Sequence, residues 1–170
     1  MRIRELTSSD AAEFQSLRLQ GLLECPSAFA SSHAEEVGFA LAAVAERLAA
    51  NPQRCVVGAF NGERLVGMVG LQREELQKMS HKAFIWGMHV APGSRRSGVG
   101  RALIVAALER ARGMPGLRQV NLGVNLQNAP ALRLYERCGF VPFGVERGFM
   151  LLDGELHDEV QMVHVLVSRA

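Results

Sequence analysis

The stretch His89–Ile104 reads HVAPGSRRSGVGRALI. It starts as a β-type run, turns at Pro92 and Gly93, and brings Arg95 and Arg96 side by side. Gly98 and Gly100 follow, one residue apart, and an apolar helical pattern begins. A helix N-terminus leaves backbone N–H groups unpaired and carries partial positive charge. It is therefore a natural anion site. Glycines let a ligand approach the backbone, and guanidinium forks suit phosphate. The stretch reads as a phosphate or pyrophosphate cradle between a strand and a helix. It lacks the lysine of a G-x-x-x-x-G-K-[ST] loop, and Leu103 stands at the third glycine of a G-x-G-x-x-G fingerprint. The plainer alternative is a surface loop whose glycines serve only a turn.

Outward from the cradle, HKAFIWGMHV before it is apolar enough for a central strand. A helix runs after it to about Arg112. LRQVNLGVN then reads as a strand and APALRLYERCGF as a helix ending at Gly139. Toward the N-terminus, RCVVGAF and ERLVGMVGLQRE flank Asn61-Gly62, whose positive φ angles suit a tight hairpin. VPFGVERGFMLLDGELHDEVQMVHVLV gives two further strands joined near Asp153-Gly154. At the start, IREL is a short strand and Thr7-x-x-Asp10 a helix start. That helix carries Phe14, Leu17 and Leu22 near one face and breaks at Pro26. A second helical region, interrupted near Gly38, stops at Asn51-Pro52. The expected fold is α/β (α+β): one domain over residues 1–170, with a mixed sheet flanked by helices.

With 170 residues and 48% apolar side chains, the chain can bury a full core. A net charge of +2 is too mild for nucleic-acid binding. Cys25, Cys55 and Cys138 are far apart and show no metal-ligand spacing, so reduced thiols and no metal are expected. MRIRELTSSD lacks the apolar run of a secretory signal, and no stretch is long enough to span a bilayer. The expected setting is cytoplasmic, without membrane or nucleic-acid partners.

RRSGVG, Arg95 to Gly100, resembles the [QR]-x-x-G-x-[GA] signature of the GNAT superfamily of N-acetyltransferases. MHVAP precedes it and RALI follows on a helix, as in that family. NAPALRLYERCGF also matches the family's N-x-x-A-x-x-L-Y-x-x-x-G-F run from Asn128 to Phe140. The resemblance covers about Arg54 to Val165 well and the first fifty residues in outline. It implies a mostly antiparallel central sheet in which two central parallel strands splay apart around acetyl-CoA, the co-substrate. It also implies an acyltransferase that moves an acetyl group directly to a primary amine. A non-catalytic CoA-binding sensor or interaction domain of the same fold is the alternative.

Residue by residue, the resemblance puts the pyrophosphate on Arg95, Arg96, Ser97, Gly98, Val99, Gly100 and Arg101. Many relatives carry glycine where this chain has Arg96. Backbone atoms of Met88, His89 and Val90 would hold the pantetheine arm and thioester, and Asn128 would touch the arm or cap its helix. Tyr135, the only tyrosine, matches the general acid. A phenol with a pKa near 10 stays protonated at neutral pH and can donate to a leaving thiolate. The alternative for Tyr135 is a core residue packed on Leu134 and Phe140.

The general base is not evident. Strand alternation puts Phe84, Trp86 and Met88 on the substrate-facing side, and none can take a proton. His89 falls on the other face unless a bulge rotates it. Glu35, Glu36 or His33 could reach the site, although acids there also suit a helix start, and a water chain would serve too. Asp158 and Glu159 read as a solvated edge. Phe29 and Trp86 would wall the acceptor pocket, and Glu35 would draw a cationic amine into it. A small amine, an amino-acid derivative, an antibiotic or a peptide N-terminus would all qualify. A homodimer is common among relatives, and the terminal strands are available for one.

Overall fold

The two hairpins are set by their turn residues. In a computed structural model, which describes residues 1–166, β2 (Arg54–Asn61) and β3 (Arg64–Arg73) are joined by Gly62 and Glu63. Only Gly62 has positive φ, at 61°. The turn therefore takes its left-handed residue first, and Asn61 belongs to the strand rather than to the turn expected from Asn-Gly. At the other end, β6 (Val141–Leu152) and β7 (Glu155–Val165) meet through Asp153 and Gly154, with φ of 50° and 83°. Both are left-handed there, the geometry that matches strand twist. Val167, expected as the end of the last strand, lies outside the described residues.

The described residues form a seven-stranded sheet in the order β1-β2-β3-β4-β5-β7-β6. Here β1 is Arg2–Glu5, β4 is Lys82–Val90 and β5 is Gln119–Asn125. Every neighbouring pair is antiparallel except β4 and β5. This is the mixed, mostly antiparallel sheet expected. The helices are α1 (Ala11–Glu24), α2 (His33–Glu36), α3 (Leu41–Arg47), α4 (Val99–Arg112) and α5 (Ala129–Arg137).

Each sheet face is covered by its own helices. Leu103, Ile104, Ala107, Leu108 and Ala111 recur at helical spacing along α4 and are at most 3% exposed. They pack with Ala83, Ile85, Val120 and Leu122. Full burial of each large apolar side chain stabilises by about 1.5–3 kcal/mol. On the other face, Phe14 and Leu17 of α1 and Val44 of α3 pack on Val56, Phe60 and Met68. The edge strand β6 stays exposed, with Val141 and Phe143 60% exposed or more.

Candidate functional site

The parallel pair β4–β5 sets the position of the site. It pairs only from Lys82↔Gln119 to Phe84↔Asn121. Beyond Phe84 the strands diverge, so the β5-facing edge of Ile85–Val90 has no strand partner. Two cavities meet in this gap. One, of about 800 Å³, runs from the gap to the N-terminus of α4. The other, of about 740 Å³, lies on the α1 and α3 face. Phe29, Trp86, Gly87 and Gly123 line both.

At the start of α4, Gly98 has φ of 85°, and a Cβ there would meet open space. No side chain caps this helix end, and the first backbone bond back into the turn runs from Ala102 N to Gly98 O. The N–H groups of the first turn thus face the cleft unpaired. Arg95, Arg96 and Arg101 line it, and Arg133 and Arg137 approach from α5. Arg95 is partly engaged, donating to Val90 O at 2.9 Å and to Glu24 at 3.3 Å. Arg96 sits at φ 62°, a conformation that favours glycine. The uncapped donors and the cations at this helix start are a set whose chemistry fits a pyrophosphate. Ser97 turns its hydroxyl back to Ser94 O, and Val99 is buried in the core, so neither side chain enters the cleft.

Tyr135 lines the same cleft while its ring packs edge-on to Phe140, 6.0 Å between centroids. Burial first, and then Cys138, push its phenol well above the ordinary value. It is therefore protonated throughout the physiological range. Asn128 also borders the cleft, and its Oδ1 accepts from Ala131 N at 3.2 Å, capping α5.

A bulge in β4 changes which residues face α1 and α3. Met68 pairs with His89 and Gly70 with Trp86, so Val69 alone opposes Gly87 and Met88. Gly87 takes φ of 62°, which this bulge requires. Strand alternation therefore slips by one. Met88, expected on the acceptor side, packs with Ile85 beneath α4 and α5. His89 rotates to the α1 face, as a bulge would make it do. Its ring fills the space beside Gly21, and its Nε2 lies 3.8 Å from Glu24. Burial, then Arg95, lower its pKa and keep it neutral.

The acidic group that reaches the gap was not among the candidates. Glu159 of β7 is 9% exposed and lines the cavity on the α1 and α3 face. It pairs across from Asn125, yet its carboxylate leans over Gly123, occupying the place a Cβ would take. It is thus lodged in the mouth of the β4–β5 gap rather than on a solvated edge. Burial, and then Glu146, push it up to about 7. Glu35 is a correction in the other direction. Its carboxylate returns to Ser32 N at 2.7 Å and caps α2 at the surface, outside the cavity lining. Glu36 is buried but occupied: Arg18 Nε and Nη2 donate to its two oxygens at 3.0 and 2.7 Å. Burial pushes Glu36 up, but the bonds from Arg18 and Ser31 outweigh this and hold it below the usual range.

The floor of that cavity is a row across the sheet: Arg54, Gln72, Phe84 and Asn121 pair in turn. Above it, the Trp86 indole lies over Gly70, where a Cβ would collide with it. Arg18, Arg47 and Arg54, none of them anticipated, line this cavity. Arg18 was the detectable one, since it sits one turn from both Phe14 and Leu22 on the apolar face of α1. Among the described residues no group of three or more His, Cys, Asp or Glu could hold a metal ion, and no helix is long and apolar enough to cross a membrane.

The family described as acetyltransferase (GNAT) matches residues 20–140. The L-amino acid N-acetyltransferase AaaT of Escherichia coli is 29% identical over 71% of this chain and 74% of its own length. The spermidine N(1)-acetyltransferase of Vibrio cholerae is 31% identical over 70% of this chain and 66% of its own. A mycothiol acetyltransferase of Brachybacterium faecium is 39% identical over 48% of this chain, which spans about a quarter (24%) of that relative. Among solved structures, a GNAT acetyltransferase of Streptococcus pneumoniae superposes with a TM-score of 0.84 at 21% identity, covering 97% of this chain and 99% of its own. The structure of yncA from Salmonella typhimurium with its cofactor acetyl-CoA gives 0.81 at 19% identity, covering 100% and 96%. Both superpositions concern the fold.

Proposed function

The chain belongs to the GNAT family of acetyltransferases, and from that premise we propose that it acetylates a primary amine of a small molecule, amino-acid derivative or peptide, using acetyl-CoA. The observation that carries this reading is the β4–β5 gap. It joins an uncapped, arginine-flanked helix start on one side to a separate acceptor cavity on the other.

In this reading acetyl-CoA supplies the acetyl thioester; the acceptor nitrogen gains the acetyl group, loses a proton, and CoA leaves as a thiol. The first-turn N–H groups of α4, with Arg96 and Arg101, hold the pyrophosphate. The edge of Met88, His89 and Val90 without a strand partner, where Arg95 takes the Val90 carbonyl, orients the thioester and offers a backbone N–H to its oxygen. Asn128 borders the pantetheine path while capping α5. Tyr135, kept protonated by its burial, donates to the departing sulfur. Glu159, poised near pH 7, is the group placed to take the amine's proton. A primary amine has a pKa near 10 and must lose that proton to attack. Trp86 and Phe29 wall the acceptor, and Glu35 is left out of the site.

Calorimetric titration with acetyl-CoA, then thiol release against a panel of amines, tests the proposal. Saturable binding with release is expected. Absence of acetyl-CoA binding would overturn the assignment of the cradle, and binding without release from any amine would overturn the transferase reading.

A further inference from the structure

The wall of the proposed acceptor cavity built by α1, α3 and β2 carries three guanidinium groups and little to balance them. Glu36 takes Arg18 in a two-pronged pair and lies 4.0 Å from Arg47. Arg54 reaches only the Glu46 carbonyl, at 3.5 Å. Glu74 borders the cavity without an ion pair to any of the three among the described residues. Positive charge is therefore in excess on this side. Arg47 is lowered from its ordinary pKa by burial and then by Arg18; Glu36 opposes this, and Arg54 adds a smaller push downward. The three charges crowd one another in a poorly solvated place.

Hydrogen bonding points the same way. Arg18 Nη1, Arg54 Nε and Trp86 Nε1 are buried with no hydrogen-bond partner among the described residues. All three can only donate. Arg18 as a whole is 5% exposed, and its free Nη1 is directed at Gly87, where the two cavities meet. The Arg47 guanidinium stacks on the Trp86 ring at 4.4 Å, which fixes it over the cavity floor. An array of fixed donors and surplus positive charge is suited to an anion with several acceptor oxygens.

The opposite side is acidic. Glu159 lies over Gly123 of β5, and the Trp86 indole lies over Gly70 of β3. β4 lies between these places, and β4 and β5 have already diverged there, so the two places are more than two strand spacings apart, that is over about 10 Å. Once contact distances are allowed for, that leaves room for an amine and an anion a few bonds apart.

We propose that the acceptor is an amine that also carries a carboxylate, an amino acid or short amino-carboxylic acid, held through its carboxylate by Arg47 and Arg54, backed by Arg18, with its amine toward Glu159. This rests on the acyl-transfer reading of the site and narrows it. A polyamine would set cations against cations on this wall. The cationic pull expected of Glu35 is absent, and the arginines reverse the preference.

The test uses Trp86, the only tryptophan, as a reporter within the cavity. The full chain, with and without saturating CoA, is titrated with each L-amino acid and with the amine left by its decarboxylation, and indole emission is followed. At least one amino acid should bind tenfold or more tighter than its decarboxylated partner. Arg47→Gln and Arg54→Gln should each remove most of that advantage, while acetyl-CoA affinity stays unchanged and shows that the variants fold. Equal binding of acid and amine, no saturable response to any carboxylate, or selectivity that survives both substitutions would overturn the proposal. Thiol release in parallel separates the two readings. Selective carboxylate binding without release would defeat the transferase reading alone. Faster release with decarboxylated amines than with amino acids would defeat the carboxylate site alone.

Discussion

Glu159→Gln should make the protein more stable at alkaline pH and less active. The carboxyl is raised from its ordinary 4.5 to about 7, chiefly by burial. At about 1.4 kcal/mol per pKa unit, ionising it in place costs at most about 3 kcal/mol. The carboxyl faces an open cleft, and solvent screening reduces this to about 1–2 kcal/mol. Because the folded protein holds this proton more tightly than the unfolded chain, the stabilisation is complete below about pH 4.5 and is lost as pH rises through about 7. Glutamine fills the same volume over Gly123 and has no proton to lose. Urea denaturation of both proteins from pH 4 to 9 should show near-equal stability at pH 4. By pH 8.5 the variant should gain about 1–2 kcal/mol, roughly 3–6 °C in melting temperature for a chain of this size. The kcat/KM of the wild type should rise through pH 7, and the variant should lose that limb. A stability difference that does not change with pH, or a variant less stable at pH 8.5, would refute the placement of Glu159 as a buried carboxyl poised to exchange a proton.

Tyr135→Phe keeps the edge contact with Phe140 and should lower kcat by about tenfold or more with acetyl-CoA affinity nearly unchanged, measured by thiol release and calorimetry. Gly98→Glu adds bulk at a left-handed position and negative charge to the cradle, so calorimetry should find acetyl-CoA binding abolished. Gly123→Ala should expel the Glu159 carboxylate from its seat and flatten the pH dependence of kcat/KM near pH 7 without weakening acetyl-CoA binding. The exposed apolar edge of β6 should pair two copies; sedimentation should find a dimer that Phe143→Glu dissociates.

Much of the fold could be read locally. The hairpins, the strand before the cradle and the helices around Leu103 and Tyr135 each follow from residues close in sequence. The strand, loop and helix start expected to hold the cofactor were legible as elements for the same reason: they are contiguous from Phe84 to Arg101. The acceptor side was not. Its charges come from α1, α3, β2 and β7, and no pattern along the chain brings Arg18, Arg47, Arg54 and Glu159 together. Glu159 looked like an exposed hairpin residue because its burial depends on leaning across to Gly123, a glycine 36 positions earlier in the chain. Strict alternation puts Met88 on the wrong face because one extra residue at Gly87 shifts every later side chain in β4, and a lone glycine in a strand hints at this without fixing it.

The slip at Gly87 also divides labour along a single strand. Ahead of it, Phe84 and Trp86 line the cavity on the α1 and α3 face; behind it, Met88 and Val90 look toward α4 and α5. The two cavities thus share a seam only a few residues wide and draw the rest of their walls from different parts of the chain. In the proposed reading, substitutions in α3 or β7 should retune what is acetylated with little effect on the donor grip, whereas α1 touches both sides, since its Glu24 meets Arg95. A scaffold with such a seam can be redirected to a new amine one wall at a time.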